Sequence, residues 1–226
     1  DVLDLGGEST RPGAEPVSAE EELRRVMPVL KEAVTLGVPV SIDTYKAAVA
    51  KAALDAGASI VNDITALGDP EMAETVASFG AGLILMHMQG TPQTMQKDPR
   101  YADVMDDVRG FLAGRRGLAE RAGIPAENIV LDPGVGFGKS VEDNLELLAR
   151  MDELVAMGSP ILIGVSRKRF IAALTGADEP RDRGPGSLAA MLAARTRGVW
   201  IFRVHEAGAT RQALTVFDAI QAHSGR

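Results

Sequence analysis

The sequence predicts a TIM-class (β/α)8 barrel whose first strand and first loop are absent from the chain. Three observations carry that expectation. Seven short apolar runs alternate with amphipathic stretches, with no break in rhythm. Most runs are continuously apolar, as parallel strands buried on both faces are. Each run ends in a polar or charged residue, where such barrels gather their chemistry. An open, doubly wound sheet is the alternative, because it tolerates seven strands.

The strands read at 2–5, 38–43, 59–63, 83–87, 128–132, 160–166 and 199–204. After the first, Ser18 and Glu21 are spaced as a capping box, and Leu23, Val26, Met27, Leu30 and Val34 form one apolar stripe. Pro28 should bend that helix and Gly37 should close it. Asp69 and Pro70 read as N-cap and first turn of a later helix, and Ser140 with Asp143 caps another. The helix near 103–122 holds Gly110, Gly114 and Gly117, each costing about 1 kcal/mol against Ala. No linker, repeat or low-complexity segment divides residues 1–226, so one barrel domain is expected.

Composition narrows the function. A net charge of -7 argues against a nucleic-acid or membrane-surface partner. The chain has no cysteine, which excludes disulfides, thiolate chemistry and cysteine metal sites and fits a cytoplasmic protein. No apolar run approaches the roughly 18 residues of a membrane span. The chain opens on Asp1 without an initiator Met or a basic leader, so a preceding segment is expected.

The strand ends supply Glu8, Ser9, Thr10 and Arg11, then Asp43, then Asn62 and Asp63, then Met86, His87 and Gln89. They continue with Asp132, with Ser166, Arg167 and Lys168, and with Arg203 and His205. Any one of these acids could simply cap a helix. Together, buried Asp43, Asn62 and Asp132 would cost several kcal/mol unless partners or a ligand's donors satisfied them. With one strand missing, Lys168, Arg203 and His205 fall in the last two loops, the usual anion site of this barrel. Those cations could instead pair with buried carboxylates. His87 and His205 lack the spacing of a metal pair.

The stretch "VLDPGVGFGKS", 130–140, nearly matches two phosphate loops and completes neither. Pro133 stands where a P-loop needs glycine, and Lys139 stands at the third glycine of a dinucleotide loop. A tight turn feeding a helix remains open.

Taken together, "LDLGGESTRPG", "SIDTYK", "VNDI", "LMHMQGTPQTMQ", "LDPGVGFGK", "GVSRK" and "FRVHE" resemble the dihydropteroate synthase family from residue 1 to the last helix. The resemblance implies an eight-stranded barrel. It implies condensation of 6-hydroxymethyl-7,8-dihydropterin pyrophosphate with p-aminobenzoate to 7,8-dihydropteroate, with loss of pyrophosphate. It further implies Mg2+, a homodimer through late helices, and inhibition by sulfonamides. Carried over by motif, Asp43, Asn62, Asp132 and Lys168 line the pterin pocket, with Met86, Phe137 and Gly164 around the ring. Thr10, Arg11 and Ser166 meet p-aminobenzoate, and Arg203 and His205 hold pyrophosphate; Asp43, Lys168, Arg203 and His205 form the catalytic set. The family's metal ligand lies in the first loop, which this chain lacks. On this reading Gly134, Gly136 and Gly138 serve the turn, and Lys139 is solvated or structural.

Tyr45 and Pro185 depart from the family pattern, as does the missing first loop. Two rivals remain: a non-catalytic pterin binder or methyltetrahydrofolate-type methyltransferase domain, and an aldolase using Lys168 as a Schiff base.

Overall fold

The computed structural model describes residues 1–223. Seven strands follow one another: β1 (Leu3–Leu5), β2 (Val40–Asp43), β3 (Ile60–Asp63), β4 (Gly82–Met86), β5 (Ile129–Asp132), β6 (Leu162–Ile163) and β7 (Ile201–Phe202). Every ladder is parallel, and spatial order equals chain order. A bridge between Leu131 and Ile161 joins the five-stranded part to β6 and β7. The helices are α1 (Ala19–Ala33), α2 (Ala47–Asp55), α3 (Met72–Phe79), α4 (Val104–Arg121), α5 (Val141–Ala149), α6 (Met151–Val155), α7 (Arg169–Thr175), α8 (Gly184–Arg195) and α9 (Ala207–His223). This is the (β/α) barrel arrangement that the strand rhythm predicted. Among the described residues no ladder joins β1 to β7. Arg203, just past β7, reaches Asp4 of β1 and Asp43 of β2 instead.

The two faces of the sheet differ in chemistry because side chains alternate along a strand. Val40, Ile42, Val61, Leu83, Leu85, Ile129 and Leu131 join the apolar cluster with the helices. There they meet Leu30, Val49, Met72, Val76, Met105, Leu112 and Leu147. Each such side chain, fully buried, contributes about 1.5–3 kcal/mol. The opposite face carries Asp4, Ser41, Asp43, Asn62, Met86 and Asp132, brought side by side by the register. Asp4 lies beside Ser41, Asp43 beside Asn62, and Met86 beside Asp132. The second face, pointing into the barrel, therefore collects the site.

Local signals mostly act as the sequence predicts, with corrections. Ser140 and Asp143 make the full reciprocal capping box of α5. Ser18 Oγ accepts from Glu21 N–H, but the Glu21 carboxylate is taken by Arg24 and Arg25, so that box is only half made. Asp69 is not the N-cap of α3, which is Glu71. Its carboxylate accepts from Glu71 N–H and from Ala47 N–H, so one side chain serves the starts of two helices. Gly37 ends the α1 segment in the left-handed region, after one 3-10 turn. Pro185 sits in the first turn of α8, where its missing N–H costs nothing.

Gly110 and Gly114 lie on the exposed side of α4, and a Cβ at either would meet no atom within 4 Å. Nothing in the structure explains those glycines. Gly114→Ala should therefore stabilise the fold by about 1 kcal/mol, read as a higher midpoint in urea.

Candidate active site

The mouth at the C-terminal ends of the strands is assembled from short-range rules. On β1, β2, β3 and β5 the last inward residue is polar (Asp4, Asp43, Asn62 and Asp132), whereas β4 ends on Met86. Asp43 ends β2, Asn62 lies next to it on β3, and Asp132 ends β5 beside Met86. Asn62, Met86 and Asp132 are buried. Arg203 leans across the mouth from β7. Its Nε donates to Asp4 Oδ2 and its terminal nitrogen donates to Asp43 Oδ2 at 2.8 Å. Asn62 Nδ2 lies 3.4 Å from the same Asp4 oxygen.

Lys168 follows β6 and lies half-buried, its ammonium 3.9 Å from the centre of the Phe137 ring. It feels the charges of Asp132, Arg203 and Asp43. Gly164 lies below, where a Cβ would stand 3.9 Å from Arg203 Cβ. Asp43, Asn62, Met86, Asp132, Phe137, Gly164, Lys168 and Arg203 thus share one mouth, as the sequence predicted. His205 and Ser166 lie together on the rim, with His205 Nδ1 2.9 Å from Ser166 Oγ. Thr10 and Arg11 sit on the loop after β1, which is tied to the loop after β4 by Gly13 N–H to Pro92 O and by Gln93 to Ala14 O. Arg11 is close enough that its charge helps to lower the His205 pKa, behind burial, Arg167 and Arg203.

The electrostatics are unusual for a free surface. Burial, reinforced by the Asp4 charge, raises Asp43 to about 7 even though Arg203 opposes it. Burial raises Asp132 to about 6, against a hydrogen bond from Gly134 N–H and the charge of Lys168. Burial lowers Lys168 to about 8, with Asp132 working the other way. Asp4 Oδ1 and Asp43 Oδ1 are buried and find no hydrogen-bond partner among the described residues. Two carboxylate oxygens held dry and unpaired mark where donors from a ligand belong.

Sequence reasoning missed Asp4, although an acid inside "VLDL" was its signal: Asp4 shares a face with Ser41, away from the core. It also missed a buried network behind the β1 loop. Glu8 accepts from Tyr45 OH at 2.8 Å and pairs with Lys46, which also bonds Glu22 at 2.6 Å. Tyr45, a departure from the family pattern, thereby anchors the loop that carries Thr10 and Arg11. Asp63, named with Asn62 as a strand end, is the plain structural acid of the set. Its carboxylate accepts from Thr65 N–H, Thr65 OH and Leu67 N–H within its own loop.

Two expectations for the glycine loop separate. Gly134, Gly136 and Gly138 all adopt positive φ, and a Cβ on Gly134 would stand 1.9 Å from His87 O, so the loop requires glycine. Lys139, however, is not solvated. It is 3% exposed and its Nζ is surrounded by His87 Nδ1, Gly134 O and Phe137 O. The loop folds inward over β4, which places the lysine head beneath it. His87 is a buried structural histidine, edge-on to Phe111. Among the described residues no three His, Cys, Asp or Glu side chains gather as a metal site.

A (β/α) barrel whose mouth offers acids and an amide to a donor-rich ring, beside cations for an anion, defines a class of small-molecule enzyme. Residues 1–205 match the family described as "Pterin binding enzyme". The dihydropteroate synthase of Neisseria meningitidis serogroup C is 47% identical over 223 residues, 97% of this chain and 79% of that protein. The Escherichia coli enzyme is 44% identical over 219 residues, 96% of this chain and 77% of that one. Among solved structures, Xanthomonas albilineans dihydropteroate synthase with 4-aminobenzoic acid superposes with a TM-score of 0.93 at 48% identity. It covers 98% of this chain and 80% of that one. The Thermus thermophilus enzyme in complex with 6HMPPP gives a TM-score of 0.88 at 47% identity, covering 98% of this chain and 84% of that one. The chain belongs to the dihydropteroate synthase family.

The raised carboxyl groups give a pH prediction. Both titrate above their unfolded value of 3.8, so ionising them as pH rises toward 7 disfavours the empty fold. Donors on a ligand favour the anions and reverse this. Binding of 6-hydroxymethylpterin near pH 6.5 should then release protons, measured by calorimetry in buffers of different ionisation heat, and affinity should fall below pH 6. Proton uptake on binding would contradict this charge assignment.

Proposed function

We propose that this chain condenses 6-hydroxymethyl-7,8-dihydropterin pyrophosphate with p-aminobenzoate, giving 7,8-dihydropteroate and pyrophosphate. The observation that carries the reading is the pair of buried, unpartnered carboxylate oxygens on Asp4 and Asp43, beside Asn62 and Asp132. An aminopyrimidine edge presents N–H donors, and ionised carboxylates accept them strongly. Asp132 keeps one oxygen on Gly134 N–H at 2.7 Å and has the other for the ring. Phe137 and Met86 would supply apolar contact, and Lys168 lies over the Phe137 ring in the same mouth. Support from relatives runs the same way: structures of the family are described with 4-aminobenzoate, 6HMPPP, 7,8-dihydropteroate and a sulfonamide drug.

In the reaction the C–O bond between the pterin methylene and pyrophosphate breaks, and its electron pair leaves with pyrophosphate. The cation left at the methylene is stabilised by the ring and by the Asp43 carboxylate. Arg203, His205 and Lys168 face the leaving anion. In the free chain Arg203 pairs with Asp4 and Asp43, so its N–H groups stand in for the ligand's donors until substrate arrives. The arylamine nitrogen then bonds the methylene and loses a proton to water. Thr10, Arg11 and Ser166, on the β1 loop and the rim, would hold p-aminobenzoate on this reading. The work is positioning and charge; no strong general base is required.

Mg2+ belongs to this reading as a companion of pyrophosphate. Metals of this kind bind through phosphates and one or two carboxylates. The described residues offer no cage of their own, and no step above depends on it. A single barrel domain over 1–226, a homodimer and a cytoplasmic location complete the proposal. Val216 and Ile220 are exposed on α9, which suits a late-helix contact. Among the described residues no helix is long and apolar enough to cross a membrane.

The test is release of pyrophosphate that requires both pterin pyrophosphate and p-aminobenzoate. Release without p-aminobenzoate, or none with both, sinks the reading; stoichiometric pterin binding without release supports the non-catalytic rival. Asp132→Asn should weaken pterin binding by about 1–3 kcal/mol in calorimetry.

A further inference from the structure

Lys139 has no part in the chemistry above, yet its amine is sealed beside the mouth. Among the described residues it forms no ion pair within 4 Å. Burial lowers its pKa to about 7, against the charge of Asp132, and its Nζ sits among three polar atoms. His87 Nδ1 is 2.9 Å away, Phe137 O 3.0 Å and Gly134 O 3.1 Å. His87 is held in turn by its own backbone N–H, which donates to Asp132 O at 2.9 Å, and by Phe111 and Tyr101 around its ring. Burial, then the Lys139 charge, lowers His87 to about 3, so the imidazole is neutral, and in its Nε2–H tautomer Nδ1 accepts from Lys139.

These contacts surround one segment. Lys139 fastens the carbonyls before and after Val135–Gly136 to the end of β4. Asp132 precedes that segment and Phe137 ends it. Tyr101 OH donates to Gly138 O at 2.5 Å, and Asn144 accepts from Gly136 N–H at 2.6 Å. A residue serving the core alone would be better apolar here, because a buried amine costs desolvation that a methionine of similar volume avoids.

We propose that Lys139 is a positioning residue for the pterin pocket: by tying Gly134 O and Phe137 O to His87, it holds the loop that presents Phe137 and the Asp132 carboxylate to the ring. This rests on reading the mouth as a pterin site. The two fail differently. Wild-type protein that does not bind 6-hydroxymethylpterin overturns the pterin reading. Wild-type binding with unchanged affinity in Lys139→Met overturns only the positioning role.

The experiment is calorimetric titration of 6-hydroxymethylpterin into wild type, Lys139→Met, Phe137→Leu and the double variant, with thermal melts of each. Lys139→Met should bind pterin about tenfold more weakly while melting no lower than wild type. Because both residues act through one loop, the double variant should be no weaker than the worse single within about twofold. The KM for p-aminobenzoate should move less than about twofold, since its proposed partners lie on other loops. A lower melting point with unchanged pterin affinity assigns Lys139 to the core and overturns the proposal. Losses that multiply in the double variant overturn it also. If Lys139→Met does not fold, Lys139→Gln, which keeps two donors without charge, is judged by the same criteria.

Discussion

The site depends on an imbalance of charge inside one barrel mouth. Asp4, Asp43 and Asp132 arrive from β1, β2 and β5, and Arg203 and Lys168 face them. The cations do not satisfy every oxygen: Asp4 Oδ1 and Asp43 Oδ1 stay buried and unpaired. Burial that raises two carboxyl groups also keeps water from supplying the missing donors. The empty fold carries this cost because the apolar face of the same strands packs against the helices. Period-two alternation serves both needs at once, with core outward and acids inward.

The second requirement is precision in the loops. The turn after β5 passes so near His87 O that only glycine fits at 134, and Lys139 closes beneath it. The loop after β1 is held by Glu8, Tyr45, Lys46 and Glu22, a buried network away from the mouth. Both loops carry proposed ligand contacts at their tips and ionic or hydrogen-bonded anchors at their bases. Rigid bases allow the tips to meet a ligand without first being ordered by it.

Strand existence, direction and order are legible in the sequence because parallel buried strands write long apolar runs, and because a polar residue ends each one. The last two strands shrink to Leu162–Ile163 and Ile201–Phe202, far shorter than their apolar runs. Hydropathy marks burial, whereas a ladder needs backbone partners, and Val165 and Val199 are buried without lying in a strand. Asp43, Asn62, Asp132, Lys168 and Arg203 are legible from motif and position. Asp4 is not, since one acid in a three-residue strand cannot be told from a solvent-facing residue until the register is known. For Lys139 the sequence leaves solvated and structural readings open, because a lysine after "GFG" carries no local sign of the inward fold that buries it. Glu21 fails as half of a capping box for a different reason: two arginines, three and four residues on, compete for its carboxylate.

The central claim is that the acids of the mouth, Asp43 with its orphan oxygen and Asp132 with the oxygen that Gly134 leaves open, are the receptor for the pterin edge. A crystal structure of the chain with pterin pyrophosphate tests it most directly. The account predicts ring N–H groups at about 2.8–3.0 Å from carboxylate oxygens of Asp43 and Asp132, Phe137 against the ring, and Arg203 turned toward phosphate. A ring bound elsewhere, with Asp43 still paired to Arg203 and its second oxygen still bare, would contradict it.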